Sequence, residues 1–241
     1  MRALRAQVAA EVRMTLRRGE SLLVAVGIPA GLLVFFSLVD VLPTPTEDPV
    51  DFLAPGVLAL AVMSTAMVSL GIATAFERHY LVLKRLGTTP LGRGRLLAAK
   101  TVAVIVVEIL QVAALAGTAL GLGWRPAGVA LATVVLAMVL GTAAFAGIGL
   151  GMAGALPAHA TLAGANGLYI VLLLLGGMMI PLRELPAGLR AVAELLPAAA
   201  LSDVLHAAFA ATGAAPGRAW LVLAFWAVAA PVTAALTFRW E

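Results

Sequence analysis

Residues 52–76 read FLAPGVLALAVMSTAMVSLGIATAF, and residues 77–91 directly after them read ERHYLVLKRLGTTPL. The first stretch holds no charged residue. Coiled as a helix rising about 1.5 Å per residue, it is longer than a hydrocarbon core of about 30 Å. The second stretch opens on Glu77 and carries Arg78, Lys84 and Arg85 among apolar residues. Working outward, the same kind of charge-poor run recurs at Ser21–Val39, Thr101–Gly123, Ala127–Leu156, Thr161–Ile180 and Ala219–Phe238, and none of these contains Lys or Arg. Composition agrees: of 241 residues, 62% are apolar and 12% charged, and the mean hydropathy is +1.05. A soluble domain carries about twice that share of charge, and one soluble core of this length cannot hide so much apolar surface. Disorder is excluded for the same reason, and collagen-like order by the unpatterned Gly and Pro. The expected fold is an all-α integral membrane protein, one domain over 1–241, with six transmembrane helices at 21–39, 52–76, 101–123, 127–156, 161–180 and 219–238.

The formal net charge is +4 and cysteine is absent, so no disulfide, thiolate nucleophile or Cys-ligated metal is available. Fourteen Arg against two Lys (Lys84 and Lys100) point to a GC-rich bacterial gene. The positive residues sit between apolar runs, a pattern of membrane orientation and not of nucleic-acid binding. Arg2, Arg5, Arg13, Arg17, Arg18, Arg78, Lys84, Arg85, Arg93, Arg95, Lys100 and Arg239 fall on one side of a six-span arrangement. Only Arg125, Arg183, Arg190 and Arg218 fall on the other. The positive-inside rule then puts both termini in the cytoplasm of a bacterial inner membrane. The first run is too long for a signal-peptide core and is followed by Asp40 and a Pro-rich turn, not by a small-residue cleavage site.

Before the first span, Leu4, Val8, Val12 and Leu16 recur every four residues, with Arg2, Arg13 and Arg17 opposite. This predicts a cytoplasmic amphipathic helix over residues 1–20 lying on membrane lipid; the alternative is a solvated basic tail that only sets topology. Between the last two spans, residues 181–217 carry two short stripes. Leu185, Leu189, Val192 and Leu196 are closed by Pro197, and Leu201, Val204, Leu205, Ala208 and Phe209 by Gly213 and Pro216. Each is too short to cross, which predicts two external re-entrant helices. A single crossing here would instead put the termini on opposite sides.

The segment 77–100 is expected to leave the membrane as a helical continuation through Leu86, stop at Gly87 and restart at Pro90. A helix–turn–helix with Leu83, Leu86 and Leu91 beside charges is more than a solvated loop needs, and it reads as a docking surface for another protein. The run Glu77-Arg78, Leu83-Lys84-Arg85-Leu86, Thr88-Thr89-Pro90-Leu91, Leu96-Leu97 and Lys100 resembles the cytoplasmic loop of ABC-2 type ABC-transporter permeases, in particular the daunorubicin-resistance-like multidrug export permeases. The resemblance extends to the six spans, the surface helix and the external helix pair. It implies a transport subunit that is not itself an enzyme, forms a dimer with a second, identical permease chain, and docks two copies of an ABC ATPase subunit. It also implies export of an amphipathic, lipid-like or drug-like substrate. The docking contact carried over is Glu77, Arg78, Leu83, Lys84, Arg85, Leu86, Thr88 and Pro90. No cofactor is expected in this chain, because ATP and Mg would be bound by the partner. Residues 94–101 miss the phosphate-loop pattern at Ala99, where a glycine is required, and read as helix.

Glu108 lies about 12 Å beyond Lys100 along a helix, where an ionised carboxylate would cost about 2.5–3.5 kcal/mol. Gln111 shares its face at i+3. Either the two line a translocation pathway or subunit contact, with Asn166 in the same polar seam, or they lock helices together. A rival function, secondary transporter or channel, would use Glu108 as a proton or ion site. The pairs Gly27/Gly31, Gly117/Gly121 and Gly147/Gly151 allow close helix approach. No catalytic residue or metal site is expected: His79, His159 and His206 fall in separate regions, and Asp203 and His206 read as surface polar residues.

Overall fold

Every residue from Val50 to Met63 except Asp51 is buried, which makes the helix they belong to the axis of the bundle. The computed structural model describes residues 12–13, 19–39, 42–87, 93–211 and 214–238, with side chains described at 12–13, 26–39, 42–84, 99–211 and 214–238. The interfacial helix expected over residues 1–20 falls almost wholly outside the described residues, as do Thr88 and Pro90. Among the described residues there are helices and turns and no strand. In chain order they are α1 (Gly19–Leu38), α2 (Pro49–His79), α3 (Val82–Gly87), α4 (Arg93–Gly121) and α5 (Leu131–Ala155). After them come α6 (Ala158–Leu175), α7 (Ala187–Ala193), α8 (Pro197–Phe209) and α9 (Gly217–Thr237).

Five of these, α2, the Ala99–Gly121 part of α4, α5, α6 and α9, are long and apolar enough to cross a membrane. Helix α1, at 20 residues, has the length of a sixth span. The chain is a multi-pass membrane protein. In the most apolar stretch of α2, 72% of residues are buried, against 22% in α6 and α9. Helices α1, α4, α5, α6 and α8 pack around α2, and α9 packs along α5 and α8.

Helix α5 is held between α2 and α9 by glycines on two of its faces. A Cβ on Gly149 would stand 2.4 Å from the Met67 carbonyl oxygen of α2, and one on Gly147 would stand 2.4 Å from the Pro231 nitrogen of α9. Of the pair Gly147/Gly151, only Gly147 makes a close approach, since a Cβ on Gly151 would stand 3.8 Å from the Ala234 Cβ, an ordinary contact. At Gly27, Gly31, Gly117 and Gly121 an added Cβ would meet nothing within 4 Å, so those two pairs make no close approach inside this chain. Opposite Gly149, residues Ser64–Ser69 of α2 form a π-helical turn, a feature that widens a helix locally and is frequent at functional sites.

Helices α7 and α8 are bent against each other by 84° and are tied to the bundle at the bend and at the far end of α8. Glu194 pairs with Arg218 in the first turn of α9. At the other end, the amides of Gly128 and Ala130, just before α5, donate to the carbonyls of Phe209 and Ala208. In between, His206 Nε2 lies 2.9 Å from the Phe52 carbonyl oxygen in the first turn of α2. Ser202 Oγ donates to the Gly177 carbonyl oxygen over 3.1 Å. Two expectations need correction. His206 is a partly buried tether, its ring nitrogens within hydrogen-bond distance of the Ser202 and Phe52 carbonyl oxygens, and not a free surface group. The fifth span ends at Leu175, short of Ile180, because Gly177 turns the chain with a φ of 65°, a conformation that costs glycine nothing.

Candidate functional site

The C-terminal end of α2 is where the sequence places the partner contact, and the structure sorts those residues by direction. The helix is not continuous through Leu86. It stops at His79, and Leu81 adopts a left-handed φ of 60°, unfavourable for a residue with a Cβ. Helix α3 therefore leaves along a new direction, forming an elbow. Leu83 points inward and is fully buried, whereas Tyr80, Leu81 and Val82 are 66%, 53% and 39% exposed. Lys84 is exposed as well. Arg85 and Leu86 lie in α3 with no described side chain, and the run resumes at Arg93 in α4.

Glu77 and Arg78 are engaged within the subunit. Glu77 Oε2 approaches Lys100 Nζ of α4 to 2.6 Å, and Lys100 is only 3% exposed. The contact is an ion pair without hydrogen-bond alignment at that oxygen. The Arg78 guanidinium donates from Nη1 to the Gly154 carbonyl oxygen and from Nη2 to that of Leu156. These carbonyls close the C-terminus of α5, where the helix has no amides of its own left to offer. A cation at the negative end of a helix dipole is favourable in addition.

Beside this clasp, Phe76 stands edge-on to His159 with ring centroids 5.5 Å apart, and His79 and His159 are 6.3 Å apart. Ala75 of α2, Ala153 of α5 and Ala158 of α6 pack together beneath them. His79 and His159, expected in separate regions, are neighbours because α2 and the α5–α6 turn end at the same level. Nothing in an 80-residue sequence separation signals that. Among the described residues no group of three or more His, Asp or Glu could hold a metal ion.

Deeper in the bundle, Glu108 and Gln111 face two different neighbours. Thr142 Oγ1 of α5 donates to Glu108 Oε2 over 2.6 Å, and Thr65 Oγ1 of the π turn donates to Gln111 Oε1 over 2.8 Å. Both acceptors are buried, at 3% and 0% exposure. The seam thus ties α4 to α5 and to α2. Asn166 does not join it: it lies on the exposed side of α6 and donates back to the Leu162 carbonyl oxygen of its own helix. The two threonines are the members the sequence reading misses. A hydroxyl inside a charge-free run was the available signal, since in lipid it must find an acceptor.

The chain matches the family model of the ABC-2 type transporter over residues 2–209 and belongs to that family. The match takes in α1 through α8 and ends before α9. No curated protein matches the chain. Membership makes this chain the membrane-embedded permease component of an ABC-type exporter, a transport subunit and not an enzyme, in a family that works with an ABC ATPase partner.

Proposed function

We propose that the chain is half of a homodimeric exporter, driven by ATP that two separate ATPase subunits hydrolyse beneath it at the inner face of a bacterial cytoplasmic membrane. Both termini then lie in the cytoplasm. The observation that carries this reading is the elbow: Tyr80, Leu81 and Val82 stand exposed beside Lys84, on a joint rooted in the bundle by Leu83, Glu77 and Arg78. Exposed apolar groups rimmed by charge at the water-facing end of a helix mark a protein contact. Closure of the ATPases around ATP pushes this joint, tilts α2 and α4, and shifts a two-state membrane domain between inward and outward access. The spanning runs that would wall a pathway are few in charge and rich in Leu, Val and Met, which favours an amphipathic, lipid-like or drug-like cargo. The narrower kinship with daunorubicin-resistance-like permeases is part of this proposal. Glu108 as an ion site has less support, since its carboxyl is buried against Thr142.

The test is charge reversal at the elbow, Lys84→Glu with Arg85→Glu. Partner-stimulated ATP hydrolysis and co-purification of the ATPase subunit are expected to fall while the permease keeps its thermal denaturation midpoint in detergent. Full co-purification and unchanged hydrolysis would overturn docking through this joint.

A further inference from the structure

The resemblance counts Arg78 among the docking residues, but the geometry points elsewhere: we propose that Arg78 is a transmission residue, positioning the α5–α6 turn so that it moves with the elbow. The inference rests on the reading of the elbow as the ATPase contact and goes beyond it, because it says where the push goes next.

The argument starts from what touches what at the cytoplasmic end. Helix α2 meets the α5–α6 turn through three kinds of contact within five residues: the apolar packing of Ala75 with Ala153 and Ala158, the Phe76–His159 edge contact, and the Arg78 clasp on Gly154 and Leu156. Only the last is directional. The planar guanidinium offers donors in a fixed fork, and here two of them meet two carbonyls that flank the end of α5. Small apolar surfaces can slide past one another, whereas a two-point charge-assisted clasp resists both sliding and rotation. Helix α5 is in turn close-packed on α9 through Gly147 and on the π turn of α2 through Gly149. A displacement at Arg78 is therefore handed to α5, and through α5 to α9 on the far side of the bundle. The Glu77–Lys100 pair performs the matching task toward α4. Two adjacent residues thus split one input between the two helices that flank α2.

The experiment is hydrogen–deuterium exchange on the detergent-purified complex with its ATPase subunits, with and without ATP and vanadate, which needs no knowledge of the cargo. In the native complex, nucleotide trapping is expected to change exchange in peptides covering both residues 80–87 and residues 153–160. In Arg78→Gln the first peptide is expected to respond as before, while the response of the second is lost. Arg78→Lys, which keeps the charge but not the fork, is expected to retain only part of it and serves where Arg78→Gln does not fold. Three results would overturn the inference: an unchanged response at 153–160 in both variants, a native complex in which 153–160 never responds, or loss of ATPase co-purification in the variants. The last would make Arg78 a docking contact and leave the elbow reading standing. If the native chain itself captures no ATPase, it is the elbow reading that fails.

Discussion

The contact between α5 and α2 depends on a missing side chain at Gly149, and replacing it with alanine gives a test whose magnitude can be worked out. A Cβ at Gly149 would lie 2.4 Å from the Met67 carbonyl oxygen and 3.0 Å from the Met67 Cα. The first distance is about 1 Å short of ordinary van der Waals contact, and the obstacle is backbone, which cannot step aside as a flexible side chain can. The two helices must separate, so the cost belongs to the overpacking range of about 1–3 kcal/mol. Against it stands the gain from replacing glycine by alanine inside a helix, about 1 kcal/mol. A reference variant removes that term: Gly117→Ala on α4 changes the same residue type in a spanning helix, with nothing within 4 Å of the added atom. The difference between the two variants isolates the packing term. In detergent, Gly149→Ala is expected to denature at a lower temperature than the native chain, and Gly117→Ala at the same temperature or a higher one. If the two variants denature together, the close approach of α5 to α2 at Gly149 is refuted.

Glu108→Gln preserves shape and hydrogen-bonding capacity, and interhelical hydrogen bonds in membranes average about 0.6 kcal/mol. It is expected to leave both the denaturation midpoint and the ATPase coupling near native values, while loss of coupling in a folded variant would favour a titrating role for the carboxyl. At the other polar contact the order of damage is the prediction. Glu77→Gln removes the carboxylate that stands 2.6 Å from Lys100 Nζ, on a side chain that is 3% exposed, whereas Lys100→Met removes the cation beside Glu77, whose side chain is 24% exposed although its Oε2 is buried. Removing one partner of a buried pair costs about 3–5 kcal/mol. Glu77→Gln should therefore lower the midpoint clearly more than Lys100→Met, and the reverse order would show that the pair is not held as described.

The spanning helices were legible because the bilayer leaves little choice: a run of about 20 apolar residues with no charge has one way to satisfy its backbone in lipid. The ends were less so. Residues 176–180 are as apolar as the span before them, and only the backbone demand at Gly177 shows where α6 stops. The break at Tyr80–Leu81 was not legible at all, because leucine carries no signal for a left-handed turn and the hydrophobic pattern runs on through it. Side-chain partners across the bundle were the other blind spot. Thr65, Thr142 and Ser202 look alike in the sequence until the packing shows which carboxyl, amide or carbonyl each one meets.

The elbow shows why adjacent charges on a helix seldom form one surface. Consecutive residues on an α-helix point about 100° apart, so Glu77 and Arg78 have to meet different neighbours as long as the helix lasts, and they do: Lys100 of α4 and the end of α5. The same rule separates buried Leu83 from exposed Lys84 in α3. A contact face made of consecutive residues can form only where the helix is interrupted. That is where the three exposed residues Tyr80, Leu81 and Val82 stand, at a position that costs a left-handed turn to create. Strain of this kind persists when the surrounding structure enforces it, and it gathers at functional sites. The linear motif is thus two devices in series, an inner pair that grips the bundle and an outer joint that exposes apolar surface beyond the end of α2.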